Sequence, residues 1–387
     1  MEFIPYSCQQ VTEGDIDAVV EALKSEYLTQ GPRVPAFEQA FAACHQAKHA
    51  LAVSNATAAL HIGCLALGVG PGSLVWTTPN SFLASANCAL YCGAEVDFVD
   101  IDPATRILSV RQLHAKLKAA KAAGALPQVL IPVDFSGLPC DLRELRALAD
   151  EYGFRILEDA SHAVGARYQG LPVGSAFADL TVFSFHAVKV VTTAEGGMIT
   201  TQDDALAESL RLLRSHGMTR DASRMSAPSP GPWYYEQTVL GFKYRMTELQ
   251  AALGLSQLGR IGELQLARRA LADRYDRLLA GLPVLLPPRA ADRASSWHLY
   301  VVELDERHAG RRADIFRRMR DAGIGVNVHY IPIHLQPFYA ERGFRPGQFP
   351  AAENYYRRAL TLPLFPAMSH SQQDRVVEAL RDALKRP

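Results

Sequence analysis

The sequence predicts an α/β chain: a mostly parallel sheet with helices on both faces, followed by a smaller C-terminal α/β domain. Two observations carry this reading. From residue 50 onward, short runs rich in β-branched and aromatic residues alternate with stretches of helical periodicity, the order that parallel strands and crossover helices require. The 387 residues are 48% hydrophobic and 21% charged, enough apolar material for a large core without disulfide or metal staples.

The first helix is predicted near Asp15. Ile16, Val19, Val20 and Leu23 share one helical face, and Thr12 and Asp15 have capping-box spacing. Strands follow at 50–53, 74–77, 95–99, 129–133, 154–158 and 180–185, with helices at 56–67, 83–91, 111–123 and 141–152 between them. A strand at 198–201 and a helix from about 203 to 215 complete this unit. Ser, Pro and Gly dominate 220–233, which predicts a long loop, functional or disordered. Beyond it, a helical region at 247–281 leads to strands at 297–303 and 325–329. The expected domains are 1–250 and 251–387.

Lys+Arg and Asp+Glu are 40 each, so no chain-wide basic footprint points to nucleic acid. The six cysteines (Cys8, Cys44, Cys64, Cys88, Cys92, Cys140) form no C-x-x-C pair and read as small core residues in a reducing compartment. Met1-Glu2-Phe3-Ile4-Pro5 lacks the features of a signal peptide, and no apolar run approaches the roughly 18 residues of a membrane span. A cytoplasmic protein that engages neither membrane nor nucleic acid is expected. Gly68-Val69-Gly70-Pro71-Gly72 follows a helix and precedes a strand, the reverse of a dinucleotide loop. His45 and His49 lack a third ligand, so no metal site is expected.

Ligands of open parallel sheets bind at the carboxyl ends of the strands, and three such places carry chemistry. Ser54-Asn55-Ala56-Thr57-Ala58 offers free N–H groups at a helix start, suited to a phosphate or to plain capping. Glu158-Asp159-Ala160-Ser161-His162 ends a strand in acid, which can pair with a protonated ring nitrogen or cap a turn. Phe183-Ser184-Phe185-His186-Ala187-Val188-Lys189 places a lysine beyond an apolar strand, either as a desolvated amine or as a surface lysine. In this order the three match the needs of pyridoxal phosphate: a phosphate cradle, a partner for the pyridinium and a lysine for the aldehyde. Phe82 is placed to stack on the ring or to join the core.

These residues resemble the DegT-type sugar-nucleotide aminotransferases, pyridoxal-phosphate enzymes of the aspartate-aminotransferase fold (fold type I). The resemblance rests on the lysine segment with Thr193-Ala194-Glu195-Gly196-Gly197, on Glu158-Asp159-Ala160-Ser161-His162-Ala163, on Arg214-Ser215-His216-Gly217-Met218 and on Leu240-Gly241-Phe242-Lys243-Tyr244-Arg245-Met246. It implies a mixed, mostly parallel seven-stranded sheet. It also implies that Lys189 is the Schiff-base lysine and proton shuttle, that Asp159 pairs with the ring nitrogen and that His162 lies beside the ring. Thr57, Ala58 and Ser184 then hold the phosphate. Lys243 stands where the family carries an asparagine that reaches the partner's phosphate across a homodimer. Tyr6, Glu26, Tyr27, Leu28, Thr29, Ala56, His329 and Tyr330 match positions bordering the nucleotide sugar, and the loop around Gly231 would cover a site built from two chains.

Within the family, Tyr27-Leu28-Thr29-Gln30-Gly31-Pro32, Gly231-Pro232-Trp233-Tyr234-Tyr235-Glu236-Gln237, the segment from Ala252 to Leu258 and that from Gly325 to Pro337 resemble the transaminases of pseudaminic acid biosynthesis. This implies transfer of the amino group of L-glutamate to C4 of a UDP-linked 2-acetamido-2,6-dideoxy-4-keto hexose of the β-L-arabino type. The same chemistry on another nucleotide 4-keto sugar (bacillosamine or perosamine type) stays open. So does a non-catalytic binding or regulatory role, although Lys189, Asp159, Ser184 and Thr57 are intact.

Overall fold

The computed structural model describes residues 2–385; Met1, Arg386 and Pro387, at the outer ends of the two expected domains, lie outside the described residues. Seven strands form the central sheet: β1 (His49–Val53), β2 (Leu74–Thr77), β3 (Glu95–Phe98), β4 (Val129–Ile131), β5 (Arg155–Asp159), β6 (Leu180–Ser184) and β7 (Gly197–Thr201). Their spatial order is β1-β7-β6-β5-β4-β2-β3. The run from β3 through β2, β4 and β5 to β6 is parallel, and β7 is antiparallel to both β6 and β1. The inner strands are buried on both faces, which is why Val129, Leu130 and Ile131 form a continuous apolar run. Helices Ala56–Ala66, Ala84–Tyr91 and Asp204–Leu213 pack on one face, and Val110–Ala123 and Leu142–Tyr152 on the other. The sheet is thus the mixed, mostly parallel seven-stranded one expected, with strand ends within two residues of their predicted places.

A second core lies toward the C-terminus. Here β8 (Val284–Leu285), β9 (Tyr300–Leu304) and β10 (Ala359–Leu362) form an antiparallel sheet backed by helices Ile261–Leu278, Arg312–Asp321 and His370–Lys385. Ile4 belongs to this core: its N–H donates to Gly323 O at 2.9 Å and its carbonyl accepts from Gly325 N at 2.6 Å.

Four expectations need correction. The helical region at 247–281 is two helices, Glu248–Gly259 and Ile261–Leu278, because Arg260 leaves helical geometry with φ −109°. Residues 325–329 form no strand. Asn327 makes a single bridge to Thr361, and its side chain accepts the Val328 N–H at 2.8 Å, removing that donor from any ladder. The strand expected from 297 starts at Tyr300, since Trp297 has φ +53° and His298 N donates to Ser136 O. Cys44 is exposed and Cys8 partly so; only the other four cysteines are core residues.

The first helix, Glu13–Lys24, carries its expected box, with Asp15 Oδ2 accepting from Thr12 N at 2.8 Å. Its orientation differs from that of an ordinary amphipathic helix. Asp15 is buried, bonded to Ser256, Gln257 and Arg260, whereas Ile16 and Leu23 are 46% and 56% exposed. No helix among the described residues is long and apolar enough to cross a membrane.

Candidate active site

A cavity of 840 Å³ opens at the carboxyl edge of the sheet. Residues from both cores line it. From the large sheet come Ala56, Thr57, Phe82, Asp159, His162, Ser184 and Lys189; Tyr6, His298, Asn327, His329 and Tyr330 come from segments that adjoin the second core through Ile4, Trp297 and Val326.

Each wall follows from local structure. Asp159 is the last residue of β5 and Ser184 the last of β6. The chain then arches from Phe185 to Gly196, closed at its base by Phe185 N to Gly196 O and Thr193 N to Phe185 O, both 2.9 Å. Lys189 sits in this arch. It keeps some exposure through the cavity, yet protein surrounds its amine, and desolvation pulls its pKa down to about 8 against the opposing pull of Asp159.

Beyond β1 the chain enters helix Ala56–Ala66 through Asn55, whose Oδ1 accepts the Ala58 N–H at 2.8 Å. First-turn N–H groups at Ala56 and Thr57 have no intrahelical acceptor, which leaves donors aimed at the space a phosphate would fill. The start of β7 presses against this turn. A Cβ on Gly197 would lie 2.8 Å from Ala56 N and from the Asn55 carbonyl carbon, so glycine is needed there for close approach.

The Asp159 carboxylate is held from two sides. Ser85 Oγ donates to Oδ2 at 2.6 Å and Ser161 N donates to Oδ1 at 3.1 Å. His162 accepts the Ser136 N–H at Nδ1 (3.2 Å) and lies 3.1 Å from the Tyr330 hydroxyl through Nε2. The first bond assigns the neutral proton to Nε2, so Nε2–H donates to Tyr330 and leaves the phenol proton free to face the cavity. Burial, with the nearby Lys189 charge, holds His162 and His298 well below the usual imidazole range and takes His329 to about 3. Three neutral imidazoles and one readily deprotonated amine therefore surround the cavity.

A second acidic pair lies behind Asp159. Asp134 and Glu158 are both fully buried, with Asp134 Oδ1 accepting from Cys140 N and Glu158 Oε2 from Thr181 Oγ1, each at 2.8 Å. Their remaining oxygens find no other donor, and burial raises Asp134 to about 7 and Glu158 well above the carboxylate range. The two carboxyls thus share a proton.

Not every expected residue lines this cavity. Ala58 sits behind the cradle with its N–H committed to Asn55. Phe82 does line it, but at the rim, 58% exposed, with its ring 6.3 Å from that of Tyr330. Glu26, Tyr27, Leu28, Thr29 and Lys243 are exposed and outside the cavity wall of one protomer. Leu28 O accepts from Glu248 N, Thr29 bridges to Thr247 and Lys243 bridges to Ser215, which anchors these segments by their backbones. The Ser/Pro/Gly loop is tethered by the Arg224–Glu208 ion pair and by Ser226 N to Glu236 Oε2, and it leaves Trp233 71% and Leu240 79% exposed. Sequence reasoning missed Ser85 and His298. Neither left a local signal, since each meets its site partners only through distant parts of the chain.

His45 donates to Val173 O and His49 pairs with Asp204, so the two histidines have separate structural partners. No cluster of three or more His, Cys, Asp or Glu among the described residues is placed to hold a metal ion.

A profile of the DegT/DnrJ/EryC1/StrS aminotransferase family matches residues 9–381. The spore coat polysaccharide biosynthesis protein SpsC of Bacillus subtilis is 42% identical over 388 aligned positions, covering 99% of this chain and 97% of SpsC. Helicobacter pylori PseC, an aminotransferase involved in pseudoaminic acid biosynthesis, superposes with a TM-score of 0.90 at 30% identity, covering 99% of this chain and all (100%) of PseC. The PLP form of Streptococcus pneumoniae Spr1654 gives a TM-score of 0.89 at 31% identity, with 99% of each chain covered.

Proposed function

The chain belongs to the DegT/DnrJ/EryC1/StrS aminotransferase family, and from that premise we propose that it is a pyridoxal-phosphate-dependent enzyme moving the amino group of L-glutamate to C4 of a UDP-linked 2-acetamido-2,6-dideoxy-4-keto hexose. The observation that carries the chemistry is the buried Lys189 amine sharing one cavity with the Asp159 carboxylate and the open helix start at Ala56 and Thr57.

The donor set fits the cofactor. Thr57 and Ser184 would hold its phosphate, Asp159 its ring nitrogen, Lys189 its aldehyde, and His162 and Phe82 would flank its ring. When bound, pyridoxal phosphate supplies an aldehyde that exchanges for an amine and a ring that withdraws electrons from the reacting carbon. The protein does the rest. Lys189, with its pKa lowered to about 8, would take the proton from the donor carbon as an amine and, as an ammonium, deliver it to the carbon that carried the aldehyde. Asp159 keeps a proton on the ring nitrogen. The neutral imidazoles of His162, His298 and His329 add no competing positive charge beside the amine.

The rim reading requires two chains. Exposed Ile16, Val20 and Leu23 on the first helix, together with the loop bearing Trp233, give a homodimer apolar surface to bury. Across that interface Lys243 would reach the partner's phosphate as a point charge. Glu26, Tyr27, Leu28 and Thr29, with Tyr6, Ala56, His329 and Tyr330, would border the nucleotide sugar in a cytoplasmic enzyme.

The likeness to PseC supports the β-L-arabino sugar and an activity of the type EC 2.6.1.92. The higher identity to SpsC favours a second reading, the same transfer onto another nucleotide 4-keto sugar. Amination by L-glutamate of the L-arabino and D-xylo epimers, compared by product mass and NMR, separates them. Selective turnover of the L-arabino sugar is expected; preference for D-xylo would keep the chemistry and change the substrate.

A further inference from the structure

We propose that Ser85, backed by Ser81, is a positioning residue for Asp159: a one-way relay of hydroxyl protons that fixes the carboxylate against the cofactor's ring nitrogen. The inference rests on the reading of Asp159 as the partner of that nitrogen.

The geometry sets the direction of the relay. An ionised carboxylate only accepts, so the single Ser85 proton points at Asp159 Oδ2, 2.6 Å away. The Ser85 oxygen also lies 2.6 Å from that of Ser81, and with its own proton committed Ser85 must accept there. Protons therefore run from Ser81 to Ser85 to Asp159. Both serines are buried, at 3% and 0% exposure, where water does not compete for these bonds. Ser85 lies in the first turn of helix Ala84–Tyr91 and Ser81 in the bend that precedes it.

The consequence for the cofactor is specific. Ser85 on one oxygen and Ser161 N on the other hold the carboxylate in a single rotation. With a donor on each oxygen, the proton between the carboxylate and the ring rests on the ring nitrogen. With the cofactor bound, ring protonation held by Asp159 would lower the pH at which its bond to Lys189 titrates. Without Ser85 the carboxylate turns more freely and takes the proton more readily, so this titration moves upward.

The test is a pH titration of the visible absorbance of purified holoenzyme, alongside the glutamate half-reaction, for Ser85→Ala, Ser85→Thr, Ser81→Ala and Asp159→Asn. Ser85→Ala should raise the midpoint by about one pH unit, toward that of Asp159→Asn. It should also slow the half-reaction about tenfold with little change in KM. Ser85→Thr, which keeps the hydroxyl, should titrate like wild type, and Ser81→Ala should move the midpoint less than Ser85→Ala. A Ser85→Ala midpoint equal to wild type, with Asp159→Asn displaced, would overturn the relay and leave the Asp159 reading standing. An unmoved Asp159→Asn would overturn that reading and the relay with it.

Discussion

The floor of the cavity and its rim are built on opposite terms. On the floor, Lys189, Asp159, His162 and Ser184 emerge from buried strand ends, and the polar groups beside them are bonded within one protomer. The rim segments around Tyr27, Trp233 and Lys243 are exposed and leave apolar surface open. The difference teaches where each half is completed. Proton handling needs fixed dipoles and excluded water, which a single folded chain supplies. In the proposed homodimer, recognition of a nucleotide sugar would gain its reach from a second copy packed against the exposed rim.

The strongest way to break this contrast is at the floor. Lys189→Ala should abolish the glutamate half-reaction, a loss of at least about a thousandfold, with circular dichroism unchanged. A rate near wild type would remove the lysine from the chemistry. Asp159→Asn should cost roughly a hundredfold in the same assay while the protein stays folded, because the ring loses the charge that retains its proton. At the rim, Lys243→Ala should weaken cofactor binding by about tenfold, the scale of one charge-assisted hydrogen bond. Mixing Lys243→Ala with Lys189→Ala protomers should then restore one native site per hybrid dimer. Activity no higher than that of Lys243→Ala alone would place Lys243 outside its partner's site.

The smallest effect concerns stability. Asp134 and Glu158 have raised pKa values in the folded protein, so between the ordinary carboxylate range and about pH 7 the native state binds more protons than the unfolded chain. Stability contributed by the pair is therefore lost as pH rises through that window. Glu158→Gln supplies a permanent donor to Asp134 and should raise the melting temperature by about 2 °C at pH 7, with the gain fading toward pH 4. A gain that grows on acidification would rule out the shared proton.

The central sheet was legible because parallel strands buried on both faces leave contiguous apolar runs, and because Asp159 and Ser184 end such runs. Lys189 was legible from the small-residue turn after β6. Ser85 reaches Asp159 only once a helix from another part of the chain has docked, so local pattern gave no hint of the contact. The same holds for Asp134 and Glu158, which lie on separate strand ends until the sheet brings their side chains together. The first helix misleads for a different reason: its apolar periodicity is real, but Asp15 takes the inward face through Ser256, Gln257 and Arg260. Residues 325–329 show strand-like composition, yet Asn327 consumes a backbone donor that a ladder would need.

Gly197 has a consequence for how far the family chemistry can drift. β7 closes the lysine arch on one side and touches the Asn55–Ala56 backbone on the other. The span from amine to cradle is therefore gauged by main chain against main chain. Side chains around the cavity can be exchanged to suit a new sugar without altering that span. A single methyl at 197 would force its two ends apart together, making this glycine the calibration mark of the whole pocket.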